Sequence, residues 1–123
     1  LVLLVRGFAP QSIKSLFHKQ LSIYELRSLP EKTNKEIELT GGCFMFFKGS
    51  ALEEVNGFSQ QFFLYFEDFD LSLRIKQSWK IVYAPHVKII HHGGDAAKKG
   101  LRHIGFFLHS ARLFFNQHGW KVF

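Results

Sequence analysis

Cysteine is nearly absent: Cys43 is the only one in 123 residues, so no disulfide can close within the chain. That absence points to a reducing compartment. Cys43 stands in an apolar run with no His–acid partnership beside it, so it reads as a buried structural thiol rather than a nucleophile. Methionine is equally scarce. Met45 is the only copy and none opens the chain, which therefore reads as a piece cut from a longer protein. No stretch approaches the roughly 20 apolar residues that span a bilayer. Leu1 to Val5 lacks the charged flank and cleavage site of a signal peptide. There are no internal repeats and no low-complexity tracts. Acids are few, 10 against 16 Lys and Arg, and residues 96–123 carry none at all. A basic end of this kind suits phosphate-bearing partners or an anionic membrane surface. Nucleic acid is not expected, because no recognition motif accompanies the charge.

What is abundant is phenylalanine, 15 copies in a chain 46% hydrophobic, so a core must be buried. The length allows one modest domain. The richest stretch is Phe62-Phe63-Leu64-Tyr65-Phe66 running into Glu67-Asp68-Phe69-Asp70-Leu71. An apolar run that stops on adjacent carboxylates sets ionisable groups at the edge of a water-poor pocket, where burial and like charge raise a pKa. From Asp68 the spacing turns helical, with Phe69, Leu73 and Gln77 on one stripe and Leu71 and Ile75 beside it. Asp68 then sits at or near a helix N-terminus, as an N-cap or as a functional acid. Asp70 and Arg74 read as a solvated i,i+4 pair.

Around this stretch the spacing predicts a short helix over 11–21 with Ile13, Leu16, Phe17 and Gln20 or Leu21 inward, then a loop over 22–35. Residues 43–47 read as a strand buried on both faces. The preceding pair, Gly41 and Gly42, allows backbone to approach a ligand or a neighbouring strand closely. Ser50 and Glu53 form a capping box for a helix over 51–55, which Gly57 ends. Residues 79–83 and 87–90 are strand-like, with an edge or turn at Pro85. Leu101 to His118 is the clearest helix, with Ile104, Phe107, Leu108, Ala111, Phe114 and Phe115 on one face. That face reads as core, with a Phe-rich basic membrane-docking face as the alternative.

The ordered set Gly41-Gly42-Cys43-Phe44-Met45, Ala51 to Phe58, Phe62 to Leu71, Trp79 to Pro85, Ile90-His91-His92-Gly93-Gly94 and Ser110 to Phe115 resembles the C-terminal half of family 2 glycosyltransferases. The likeness is to bacterial rhamnosyltransferase-type members. It covers roughly residues 40–120, no single motif being decisive. The resemblance implies an α/β chain, the C-terminal portion of a GT-A fold, with a short mixed sheet and flanking helices. Residues 1–39 would be a variable lead-in, 40–95 the acceptor and base region, and 96–123 a basic loop and C-terminal helix.

By the same resemblance, Asp68 matches the catalytic base, with Glu67 positioning the acceptor or Asp68. Gly41, Gly42, Tyr65, Phe66 and Trp79 would face substrate, although aromatics in this setting are core residues more often than not. His91, His92, Gly93, Lys98 and Arg102 would approach the donor diphosphate, and His91 or His92 could complete a divalent metal site of Mg or Mn. Only one of two adjacent histidines on an extended segment can face a given site. Asp95-Ala96 replace the Ser or Thr that the family places after the glycines. The implied partners are a nucleotide-sugar donor and a saccharide or lipid-linked acceptor, in the cytoplasm or at the inner face of the plasma membrane. Most of the metal and donor site would belong to an N-terminal half, so the piece alone is expected to be inactive. The alternative is a non-catalytic basic module that docks through its last helix.

Overall fold

The computed structural model describes residues 5–6, 9–25, 27–92 and 100–120. In order these form α1 (Gln11–Leu16), α2 (His18–Tyr24), β1 (Lys35–Ile37), α3 (Gly49–Glu54), α4 (Glu67–Ile75), β2 (Ile81–Tyr83) and α5 (Leu101–His118). Helices with one small sheet are compatible with the expected α/β class. In place of a short mixed sheet, the described residues hold a two-stranded antiparallel pair, with Lys35 opposite Tyr83, Glu36 opposite Val82 and Ile37 opposite Ile81.

The core lies between α4, the aromatic run before it and α5. Phe62, Phe66, Phe107 and Phe114 are buried together, with Tyr65, Phe69, Leu73, Ala111, Leu113 and Phe115 packed around them. Phe66 sits at the centre, its ring 5.2 Å from those of both Phe107 and Phe114. Each such ring contributes on the order of 1.5–3 kcal/mol by leaving water. Ser110, buried inside α5, donates its hydroxyl to the Leu64 carbonyl at 2.7 Å and so fixes the helix against the aromatic run.

The α5 bounds fall where the periodicity predicts. Leu108 is turned out rather than in, and the inward stripe is Phe107, Ser110 and Phe114. With Phe107 and Phe114 in the core, the exposed side of α5 carries Leu101, Arg102, Leu108, His109 and Arg112.

Several expectations are corrected. Residues 43–47 form no strand. Cys43 is exposed in a turn, Phe46 is 92% exposed, and only Met45 and Phe47 are partly covered. Burial on both faces needs neighbours on both sides, and no described strand pairs there. The helix expected over 11–21 breaks at Phe17 into α1 and α2, and Ile13 and Leu16 are exposed while Leu21 alone of its inward set is buried. The capping box is not made: α3 starts two residues earlier, with Lys48 at the N-cap and no side-chain cap. Its other end is a Schellman motif. Gly57 N–H bonds Leu52 O at 2.9 Å and Asn56 N–H bonds Glu53 O at 3.0 Å, both residues in left-handed conformation. Residues 87–90 form no strand, and Pro85 is buried in a turn.

Candidate functional site

Two successive residues, Tyr65 (φ 70°) and Phe66 (φ 67°), adopt left-handed backbone just before α4. Non-glycine residues hold that conformation at roughly 1–3 kcal/mol each, tolerated only where the surroundings over-determine it. The burial of Phe66 and the packing of Tyr65 against Phe107 and His103 supply that determination. The bend turns the chain from the core into the helix, so that Glu67 and Asp68 occupy its first turn.

Asp68 is therefore not the N-cap, a position taken by Phe66. Its carboxylate is instead the meeting point of two segments. Oδ2 accepts the Gly42 N–H at 2.7 Å and Oδ1 accepts the Phe69 N–H at 2.9 Å. A Cβ at Gly42 would lie 3.3 Å from the Asp68 Cβ, whereas at Gly41 it would meet Oδ2 at 4.0 Å. The close approach that the paired glycines allow is thus to Asp68 itself. One turn on, Ser72 donates to the Asp68 carbonyl at 2.7 Å and accepts the Thr40 N–H at 3.4 Å. Residues 40–42 are stitched to the first turn of α4 at both points.

Burial raises the Asp68 carboxyl above its ordinary value, against the pull of the Gly42 and Phe69 N–H groups and the Arg6 charge. Burial also raises Glu67, with the neighbouring Asp68 charge adding to it. Glu67 Oε2 is buried with no hydrogen-bond partner among the described residues. Tyr65, raised by burial and then by Glu67, is hydrogen-bonded through its hydroxyl to His103 Nδ1 at 3.1 Å. The first turn of α4 therefore gathers two half-buried carboxyls poised to hold or take a proton.

The structure brings Gly41, Gly42, Tyr65, Glu67 and Asp68 into one neighbourhood. Phe66 is core, 3% exposed, and is not a surface on which a sugar could stack. Trp79 belongs to the α3 side, where its N–H donates to Glu54 at 2.8 Å and Lys48 lies 5.6 Å over its ring. His91 and His92 are both exposed. Gly93 and Lys98 lie outside the described residues. Arg102 is exposed and stacks its guanidinium 5.5 Å from the Phe106 ring. Among the described residues no three His, Cys, Asp or Glu side chains gather as metal ligands.

Three neighbours of the site were not legible as such. Ser72, four residues after Asp68, had a readable signal, since a helical serine bonds the carbonyl one turn back. His103 and Arg6 had none, because only tertiary packing brings them to Tyr65 and Asp68.

Asp70 corrects the solvated reading. It pairs with Arg74 at 2.9 Å as expected but is 0% exposed, and it also accepts His118 Nε2 at 2.8 Å and Gln117 Nε2 at 3.3 Å. Arg74 in turn donates to the Val55 and Gly57 carbonyls, so one buried pair joins the end of α3, α4 and the end of α5.

With this geometry in view, comparison with known proteins adds one relationship. The chain is similar to a mycobacterial rhamnosyltransferase. Over 55 residues it is 40% identical to the N-acetylglucosaminyl-diphospho-decaprenol L-rhamnosyltransferase of Mycobacterium tuberculosis, in both strain CDC 1551 and strain H37Rv. That segment is 44% of this chain and 18% of the rhamnosyltransferase, so the shared stretch spans under a fifth of the relative's length. No family model matches the sequence, and no solved structure matches it.

Proposed function

We propose that this chain is the acceptor-side, base-bearing part of a glycosyltransferase, of family 2 and GT-A type, that moves a sugar with inversion from a nucleotide-sugar donor to a saccharide or lipid-linked acceptor. The single observation that carries the reading is Asp68: a half-buried carboxylate in the first turn of α4, its pKa raised by burial, held by the Gly42 N–H at 2.7 Å. The partial identity to a rhamnosyltransferase supports the same class of reaction.

In the proposed reaction the acceptor hydroxyl gives its proton to an Asp68 oxygen as its own oxygen forms the new bond to the anomeric carbon. The bond from that carbon to the nucleoside diphosphate breaks on the opposite face, and the electron pair leaves with the diphosphate. Each Asp68 oxygen accepts one backbone N–H and retains a lone pair for the incoming proton. These two N–H bonds orient the carboxylate before substrate arrives, while burial lifts its basicity. Glu67, adjacent and with a buried unpartnered oxygen, is assigned to orienting the acceptor hydroxyl. A divalent cation of Mg or Mn would steady the leaving diphosphate. No three ligating side chains gather among the described residues, and His91 or His92 is proposed as one ligand of that cation. The setting proposed is cell-surface polysaccharide synthesis at the cytoplasmic face of the membrane. No helix among the described residues is long and apolar enough to cross that membrane.

The test is Asp68→Asn in the intact protein, with sugar transfer measured alongside the melting curve. Transfer is expected to fall by about 100-fold or more with folding retained. Activity within a few-fold of wild type would sink the base assignment.

A further inference from the structure

A cavity of about 340 Å³ opens beside the Asp70–Arg74 pair, lined by Asn56, Phe58, Gln60, Arg74 and Gln117 among others. We propose that it is a binding subsite for a neutral saccharide, separate from Asp68. Its size falls at the lower end of small-ligand sites. Its floor is rigid. Arg74 is held by Asp70 at 2.9 Å and by the Val55 and Gly57 carbonyls, and the rim is the Schellman turn with Asn56 and Gly57 both left-handed.

The chemistry of the lining selects the ligand. The amides of Asn56 and Gln60 have no hydrogen bond among the described residues, and Gln117 spends only its Nε2, on Asp70. An amide offers both a donor and an acceptor, which matches a hydroxyl that does the same. Phe58 is 48% exposed beside them, an apolar ring face of the kind that covers the C–H side of a sugar. Charge argues against anions. Arg74 is the only Lys or Arg in the lining and the buried Asp70 carboxylate neutralises it, yet two of its five N–H groups stay available for hydroxyls. Arg74 follows Asp68 by six residues, roughly 9 Å along the helix axis, so the two places can be perturbed separately.

The choice of a saccharide over other neutral ligands rests on the glycosyltransferase reading. The test is direct binding to the intact protein by saturation-transfer NMR and titration. Methyl α-L-rhamnopyranoside and N,N′-diacetylchitobiose are the sugar probes, and a neutral dipeptide amide is the control. At least one sugar is expected to bind, and Phe58→Ala and Gln60→Ala are each expected to weaken it by about tenfold. Both positions are exposed, so melting curves should match wild type. Asp68→Asn should leave the Phe58-dependent binding intact. Failure of both sugars to bind, binding that survives both substitutions, or equal binding of the dipeptide would overturn the subsite. Full transfer by Asp68→Asn would instead strike the base assignment, with the Phe58-dependent binding still measurable.

Discussion

Gly42 and Asp68, 26 residues apart, are joined by a 2.7 Å hydrogen bond at a separation where a single methyl group would meet the aspartate Cβ at 3.3 Å. The glycine is required for closeness rather than for an unusual backbone angle. It lets one main-chain N–H fix one carboxylate oxygen, and through it residues 40–42 fix the start of α4.

That relationship predicts a contrast between neighbouring glycines. Gly42→Ala forces its new methyl against the first carbon of the Asp68 side chain, and overpacking of this kind costs about 1–3 kcal/mol. The Asp68 carboxylate must move, so transfer should fall at least as steeply as stability. Gly41→Ala meets Asp68 Oδ2 at 4.0 Å, an ordinary contact, and should be close to neutral. Parallel melting and transfer assays on the two variants check this, and equal effects would refute the close-approach account.

A second prediction concerns pH. Burial holds the Glu67 carboxyl above its ordinary 4.5, so the folded state binds that proton more readily than the unfolded chain. Such a group lowers stability as pH rises from its unfolded value through its folded one, and contributes no penalty below both. Glu67→Gln removes the penalty. The variant should melt higher than wild type at neutral pH, and the gap should close as pH falls below 4.5. Asp68 is shifted the same way and should show the same sign. A gap that persists unchanged in acid would mean that packing, not charge, separates the two proteins.

Which features were legible in the sequence follows from how local they are. The bounds of α5 could be read because its apolar period repeats over 18 residues and needs no outside information. A close approach at the glycine pair was also legible, but neither that Gly42 alone makes it nor its object was, since Asp68 lies far along the chain. Residues 43–47 misled because an apolar run reads as a buried strand only if strands flank it, and that is a tertiary fact. Asp70 misled for the same reason. Its i,i+4 partner Arg74 is local, whereas the residues that bury it, Gln117 and His118, are 47 and 48 positions away.

Phe66 supports a third prediction, because it combines strain with burial. Its φ of 67° is unfavourable for any side chain with a Cβ, while its ring is packed by Phe69, Phe107, Phe114 and Phe115. Phe66→Ala keeps most of the backbone strain and removes the packing that offsets it. The expected loss is about 3–5 kcal/mol, read by denaturant unfolding. A loss below about 1 kcal/mol would show that the aromatic cluster does not anchor the bend. Because that bend delivers Glu67 and Asp68, sugar transfer should fail in this variant at temperatures where it is still largely folded.

The last prediction separates the buried pair from the candidate site. Asp70 is fully enclosed and neutralises Arg74, so Asp70→Ala leaves a guanidinium that is 20% exposed without its counter-charge. Breaking one side of a buried pair costs about 3–5 kcal/mol, more than either partner's Coulomb gain suggests, because the remaining charge stays desolvated. Replacing both together, Asp70→Leu with Arg74→Met, removes the stranded charge and should recover a large part of that loss. The same exchange leaves both partners of the Gly42–Asp68 bond in place, since neither Asp70 nor Arg74 takes part in it. If the double variant regains stability and keeps sugar transfer, the pair serves to join α3, α4 and α5. If it regains stability but loses transfer, the network does more than join helices, and its coupling to the α4 first turn becomes the thing to measure, by a double-mutant cycle with Asp68→Asn.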